Sequence, residues 1–214
     1  MKELLHECWN IISGMNFILA IIGICSVVAF AVFFERLSYL RKVEIDGAEL
    51  LVHLKDPIEE GNMTKALSIC DSYKSAISNV IKAALCKCNR PREQIEGACE
   101  LRGIVEIAKM EKNAKILSII AHITPLIGLL GTVLGFIKAF GQMRLSSLVE
   151  ISATQIGQAM EYALVTTAAG LVVAIPSVIA YNYIVSRIEG MVVEIQATAQ
   201  EVVDLLASKR EQLP

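Results

Sequence analysis

The side chains best placed to do chemistry are hydroxyls inside two long apolar segments. In the first segment, small or hydroxylated residues recur at steps of four, four and three, which places them along one side of a helix: Thr124, Gly128, Thr132 and Gly135. Threonine hydroxyls can donate hydrogen bonds to a charged group, or they can simply bond their own backbone. The spacing alone leaves both interpretations open.

The glycines of this segment favour close approach of helices. Gly131 and Gly135 form a small-xxx-small pair, a spacing typical of packed membrane helices, and Pro125 precedes them in the same segment. Packing therefore explains the small residues as well as any pore does.

The second segment repeats the pattern. Its small face is predicted to hold Ala163, Thr167, Gly170 and Ala174, with Thr166 about 100° away from it. Pro176 removes a backbone donor within the segment, so we expect a kink or a loosened turn there.

Carboxylates and permanently charged side chains are absent from both segments. Neither Ile116–Ile137 nor Tyr162–Ser186 contains Asp, Glu, Lys or Arg. A proton path through this chain alone would therefore lack a carboxylate. Either the chain conducts nothing, or a partner supplies the titrating group.

The sequence lacks the common motifs of enzymes and metal sites. The chain has no phosphate-binding loop, no zinc-protease motif and no nucleophile elbow. The pair Cys86 and Cys88 has no second pair at zinc-finger spacing, and the net charge of -2 gives no sign of nucleic-acid binding. We expect no catalytic site, no metal, no cofactor and no nucleic-acid partner.

The elements that must position these residues are membrane helices. Hydrophobic residues make up 54% of the 214 residues, and three apolar runs are long enough to cross about 30 Å of hydrocarbon. The first run resembles a signal peptide in one respect, because Ala29-Phe30-Ala31 is a small-x-small site. Its length and the charged pair Glu35-Arg36 directly after it favour a membrane helix instead.

Basic residues in the flanks predict the orientation. Most of them follow the first run or precede the second, which makes those flanks cytoplasmic and the N-terminus periplasmic. The predicted organisation is a periplasmic tail at 1–16, a transmembrane helix at 17–34, a cytoplasmic helical domain at 35–115, a second transmembrane helix at 116–137, a periplasmic loop at 138–161, a third transmembrane helix at 162–186 and a cytoplasmic helix at 187–214.

The cytoplasmic segments are predicted to be helical. Turns are expected at Asp56-Pro57, at Glu60-Gly61-Asn62 and at Asn89-Arg90-Pro91. Apolar residues at three- and four-residue steps predict one amphipathic helix from Ala66 to Leu85. A further helix should start near Glu93 and run without a breaker into the second membrane run, and the third membrane helix should extend beyond Arg187.

Two strings carry a family resemblance. They resemble the membrane signatures of the ExbB/TolQ/MotA family of proton-channel subunits. The first is TPLIGLLGTVLGFIKAF, from Thr124 to Phe140, and the second is ALVTTAAGLVVAIPSVIAYN, from Ala163 to Asn182. The likeness extends more weakly to the end of the first helix at Phe34-Glu35-Arg36. The count of three membrane helices fits ExbB and TolQ rather than MotA, which has four.

The resemblance implies an all-α membrane protein of the bacterial inner membrane that assembles as a homopentamer. Its pore would hold the membrane helix of an ExbD- or TolR-like partner, which brings the missing aspartate, and force would pass to TonB or to the Tol-Pal system. Thr132 and Thr167 match the threonine positions that the family places facing this aspartate. An ExbB-like role is favoured over a TolQ-like one.

The chain departs from the family pattern at two places. The family often has a glutamate directly before the Ala-Leu of the third helix, whereas this chain has Tyr162 there and Glu161 one residue earlier. His122 stands where the family tends to have a small polar residue, and it is either a titrating group or a hydrogen-bonded structural histidine. A non-conducting scaffold and a self-conducting channel stay open as other functions.

Overall fold

A computed structural model describes residues 2–45, 47–145 and 153–211 of the chain. This part is all-α and contains no strand, as predicted. The helices are α1 (Lys2–Val43), α2 (Gly47–Glu60), α3 (Met63–Ser72), α4 (Ala76–Leu85), α5 (Arg92–Glu111), α6 (Ala114–Leu145) and α7 (Ala153–Glu211).

Three of these helices, α1, α6 and α7, are long and apolar enough to cross a membrane. This confirms the predicted count. Helix α7 is continuous over 59 residues, or about 88 Å at 1.5 Å per residue, so it is much longer than a bilayer is thick. The predicted extension of the third membrane helix beyond Arg187 is confirmed.

The chain divides into two compact units. The first, the membrane unit, contains the chain up to Phe34 together with Lys115–Asn182, and the second, the polar unit, contains Glu35–Ala114 together with the chain from Tyr183 onward. Residues 138–145 and 153–161, predicted as loop, continue α6 and α7 as helix. Residues 146–152 lie outside the described part.

The predicted turn at Asp56-Pro57 is wrong, because Pro57 lies inside α2. The apolar face of that helix is fully buried at Leu50, Leu54 and Ile58. Burying each such side chain is worth about 1.5–3 kcal/mol, which exceeds the local preference of the residue before proline for an extended backbone. The expected turn at Gly61 is present, with a positive φ of 81° at the glycine.

The predicted single helix from Ala66 to Leu85 is also wrong. It consists of two helices, α3 and α4, because the chain turns between Ser72 and Ala76. Ser75 has an extended backbone, and its hydroxyl accepts from the Ser78 amide while the Ser78 hydroxyl accepts from the Ser75 amide, each at 3.1 Å. This reciprocal cap starts a new helix. The predicted inward residues still point inward, since Ile77, Val80, Ile81 and Leu85 are buried.

The predicted continuous helix from Glu93 into the membrane is interrupted. Helix α5 ends at Glu111 and α6 begins at Ala114. Between them Asn113 adopts a φ of 64°, the left-handed conformation that asparagine tolerates better than most residues. A short break of two residues therefore separates the helices, and asparagine is the residue that permits it.

Candidate ion-pathway site in the membrane helices

Within the membrane unit, α6 and α7 approach each other where neither carries a large side chain. A Cβ atom added to Gly170 would lie 2.8 Å from the Thr124 carbonyl oxygen, and one added to Gly135 would lie 2.6 Å from the Cβ of Ala163. The paired positions advance in opposite directions along the two helices, so α6 and α7 are antiparallel. Contact at this distance requires glycine.

The centre of the contact differs from the predicted faces. Gly131 and Thr166 lie at its middle, where a Cβ on Gly131 would lie 2.8 Å from the Thr166 Cβ. Thr166 is fully buried, and its hydroxyl donates to the Ala163 carbonyl of its own helix at 2.7 Å. Gly131 takes the place expected for Thr132, and Thr166 takes the place expected for Thr167.

Helical geometry explains this difference. At about 100° per residue, Thr124, Gly128, Gly131 and Gly135 fall within roughly 60° of one another, whereas Thr132 falls roughly 60–80° from Thr124 and Gly135. The steps of four, three and four that include Gly131 therefore follow the helix more closely than the steps through Thr132. The sequence had predicted Gly131 as a packing glycine, and comparing these angles would have placed it on the contact face in place of Thr132.

Thr132 and Thr167 instead flank the contact. Both are half-buried, and each directly follows a central contact residue in its own helix. Because the helices are antiparallel and face each other, this common offset puts both threonines on the same side of the contact. That side is apolar, since Leu164 and Leu171, one turn before and one turn after Thr167, are 66% and 45% exposed.

The two flanking hydroxyls have different partners. The Thr167 hydroxyl crosses to α6 and donates to the Gly128 carbonyl at 2.9 Å. The Thr132 hydroxyl donates to the Leu129 carbonyl of its own helix at 2.6 Å. Thr167 thus joins the two helices, whereas Thr132 bonds locally, and no described hydrogen bond links the two threonines.

The remaining predicted site residues lie outside this contact. His122 is exposed, with ring Nδ1 2.6 Å from the Ser118 carbonyl oxygen. Glu161 is exposed on α7. Helices α6 and α7 continue through Pro125 and Pro176 without a break in the helical structure. The histidine has the local backbone contact of a structural residue, and nothing in the described part brings it to the threonines.

Two cysteines of the polar unit, Cys70 and Cys99, are buried. Burial first, and the neighbouring Asp71 second, raise the pKa of the Cys70 thiol to about 11, which keeps it protonated at neutral pH. Burial also raises the pKa of Cys99. Among the described residues no group of three His, Cys, Asp or Glu side chains could hold a metal ion.

A family model matches more than half of the chain. The model describes the MotA/TolQ/ExbB proton channel family and matches residues 72–197. This range includes the whole α6–α7 contact. It confirms the family resemblance that the two membrane strings carry.

Individual relatives include proteins of both ExbB and TolQ type. The chain is 30% identical over 183 residues to an ExbB homolog of Methanothermobacter thermautotrophicus, covering 85% of this chain and 63% of that one. It is 31% identical over 163 residues to an ExbB-like protein of Synechocystis, covering 75% and 64%. It is 24% identical to the TolQ protein of Pseudomonas aeruginosa, covering 94% and 93%. The chain thus spans a little under two thirds of the first two relatives.

Proposed function

Because this chain is a multi-pass membrane protein that belongs to the MotA/TolQ/ExbB proton channel family, we propose that it is an ExbB-like subunit of an inner-membrane motor. The motor would use the proton-motive force to energise TonB-dependent transport at the outer membrane. The alternative within the family is a TolQ-like subunit that energises the Tol-Pal system. The chain has relatives of both the ExbB type and the TolQ type, so the relatives do not separate these two roles.

One observation carries the proposal. Two half-buried threonines, Thr132 and Thr167, flank the α6–α7 contact on one apolar side, while the two membrane segments that carry them contain no Asp, Glu, Lys or Arg. Hydroxyls in such surroundings can stabilise a charge that arrives from elsewhere. We therefore propose that a single-span ExbD- or TolR-like partner supplies a membrane aspartate, and that these hydroxyls hold it while it is ionised.

Assembly and topology follow the same proposal. Five copies would form a ring around the partner helices, with α6 and α7 lining the pore and α1 facing lipid. Small residues on both lining helices permit close packing around such a ring. The N-terminus would be periplasmic and the C-terminus cytoplasmic in the bacterial inner membrane, as the distribution of basic residues predicts. We assign the chain no enzymatic activity.

Proton flux in liposomes tests this function. We expect flux when the chain is reconstituted with its single-span partner and none with the chain alone. Flux through the chain alone would identify a self-conducting channel. No flux in either case, despite a stable complex, would identify a scaffold.

Separate genetic tests distinguish the two motor systems. Restoration of TonB-dependent uptake in a strain lacking ExbB supports the ExbB-like role. Restoration of envelope integrity in a strain lacking TolQ, without restored uptake, would overturn it in favour of the TolQ-like role.

A further inference from the structure

The break between α5 and α6 is held by side chains from a third helix. At the end of α1, Arg36 is buried with 4% of its surface exposed, and its Nη1 donates to the Lys109 carbonyl oxygen at 3.2 Å. The adjacent Glu35 carboxylate accepts from the Asn113 side-chain amide at 3.2 Å and from Arg36 Nη2 at 2.7 Å. Two neighbouring residues of α1 therefore contact the end of α5 and the break itself.

The atoms involved are the ones that a continuous helix would pair. In an unbroken α-helix the Asn113 amide would donate to the Lys109 carbonyl, four residues earlier. Here Arg36 donates to that carbonyl instead. The preceding amide, that of Lys112, still donates to Ala108 at 3.1 Å, so regular pairing persists up to the break.

Asn113 is only a weak local signal for the break. Lys112, Asn113, Ala114 and Lys115 include no glycine or proline, and a left-handed backbone costs a non-glycine residue about 1–2 kcal/mol, although asparagine tolerates it best. Asn113 is the one non-glycine residue with a positive φ in the described part of the chain. Contacts with α1 thus compete against the tendency of this segment to form one helix.

The arrangement that buries Arg36 also has an energetic cost. The Nε atom of Arg36 is buried and has no hydrogen-bond partner among the described residues. An unpaired buried donor reduces the stability of the arrangement that buries it. The guanidinium packs over the Tyr39 ring, 5.1 Å from its centroid, which offsets part of this cost.

From this geometry we propose that Glu35 and Arg36 form a latch that keeps the α5–α6 junction broken, and that releasing the latch joins α5 and α6 into one continuous helix. The junction is then a two-state element at the start of α6, the helix that carries Thr132. The Arg36 side chain donates to the Lys109 carbonyl in the broken state, and the Asn113 backbone amide donates to it in the continuous helix.

Hydrogen exchange of the full-length chain in nanodiscs tests the latch. In a continuous helix the backbone amides of residues 113–116 gain acceptors four residues earlier, so their exchange should slow by about fivefold or more, the equivalent of a hydrogen bond of about 1 kcal/mol. We expect this slowing in Asn113→Ala and in Arg36→Met. Loss of a contact should therefore increase local protection, which a purely stabilising contact cannot do.

Two matched variants act as controls. Asn113→Gly also removes the side-chain amide but accepts the left-handed backbone, so its exchange at 113–116 should not slow. Arg41→Met removes an exposed charge from the same helix and should leave these amides unchanged. If Arg36→Met raises exchange throughout α5 and α7, that variant has destabilised the whole polar unit, and the test of the latch then rests on Asn113→Ala. Unchanged or faster exchange at 113–116 in Asn113→Ala overturns the latch.

Discussion

Two of the contacts that helix α7 makes are built in opposite ways. Against α6, in the membrane unit, it packs through Gly170, Ala163 and Thr166, and the contact depends on small side chains. Against α2, in the polar unit, it uses long charged side chains. Glu194 accepts from the Gly47 amide at 2.6 Å at one end of α2, and Lys209 donates to the Ile58 carbonyl at 2.7 Å at the other.

The difference follows from the solvent. Lipid gives two apolar helices no hydrophobic reason to associate, so close packing must supply the attraction, and small residues permit it. In water, burial of apolar side chains already holds α2 in place, and the backbone groups at its two ends still need hydrogen-bond partners. An anion at the helix N-terminus and a cation at the C-terminus satisfy unpaired backbone groups and interact favourably with the helix dipole. Helix α7 therefore packs through small residues in its membrane part and through charged side chains that cap α2 in its polar part.

The largest expected effect comes from adding one methyl group to the membrane contact. In Gly170→Ala the new Cβ would meet the Thr124 carbonyl oxygen at 2.8 Å, and this atom belongs to the backbone and cannot rotate away. We expect a destabilisation of about 1–3 kcal/mol from overpacking, partly offset by up to about 1 kcal/mol from the better helix propensity of alanine. Thermal unfolding in detergent measures it.

A glycine elsewhere on α7 provides the matched control. Gly190 has open space around it, with nothing within 4 Å of an added Cβ. Gly190→Ala should therefore be neutral or slightly stabilising. Equal unfolding temperatures for the two variants would contradict the packing account of this contact.

The second prediction concerns the hydroxyl beside the contact. Thr167→Val keeps the side-chain shape and removes the donor, so we expect partner assembly to persist while proton-dependent function falls roughly tenfold to a hundredfold, as for a lost hydrogen bond to a charged group. To reach a partner aspartate, the Thr167 hydroxyl must turn away from the Gly128 carbonyl. Energised uptake and co-purification of the partner measure the two effects separately.

Thr166 offers an internal comparison for this result. Its hydroxyl is buried and bonded within its own helix, so Thr166→Val should change function much less than Thr167→Val. Normal energised transport in Thr167→Val, or a loss explained entirely by failed assembly, would make Thr167 a packing residue.

The sequence predicted much of the membrane unit because its signals are local. Long uncharged runs identify α1, α6 and α7, and the small residues of α6 and α7 identify their contact. The small-xxx-small spacing predicted Gly131 as a packing residue, but the predicted helix faces held Thr132 and Thr167. The contact centre is instead Gly131 and Thr166, which lie one residue before those threonines. A helix face of four residues tolerates more than one choice of steps, and a comparison of the helical angles makes the distinction.

The polar unit was less predictable because its breaks depend on distant residues. Pro57 predicts a turn, yet burial around Leu54 and Ile58 keeps it helical. Asn113 gives only a weak signal for a break, and the contacts that hold it come from Glu35, 78 residues earlier. Ser75 with Ser78 was the exception, since this pair lies within one segment and a search for helix caps would have found it.

The third prediction tests the ends of α2. Lys209→Met keeps the aliphatic stem but removes the donor that serves the Ile58 and Glu59 carbonyls. We expect a loss of about 0.5–2 kcal/mol, in the range of helix caps and favourable dipole contacts. Urea unfolding, monitored by hydrogen exchange of the α2 backbone amides, measures this loss.

The matched control for Lys209 lies on α2 itself. Lys55 is exposed on the surface of that helix, and Lys55→Met should leave its stability nearly unchanged. If both lysine variants lose the same stability, general charge rather than capping of the backbone is responsible.

The smallest effect is expected where exposed charged side chains pair with each other. Arg92 and Asp204 join α5 to α7 at 2.6 Å, but their side chains are 50% and 53% exposed. Arg92 also bonds Glu96 at 2.7 Å, and its pKa is raised first by that hydrogen bond and second by the charge of Asp204. Asp204→Asn leaves Arg92 paired with Glu96 and keeps an oxygen acceptor at position 204. Because water and salt screen exposed pairs, the urea midpoint should not change measurably at low or high salt. A loss as large as that of Lys209→Met would show that α7 uses charge itself, and not the capping of helix ends, to hold the polar unit.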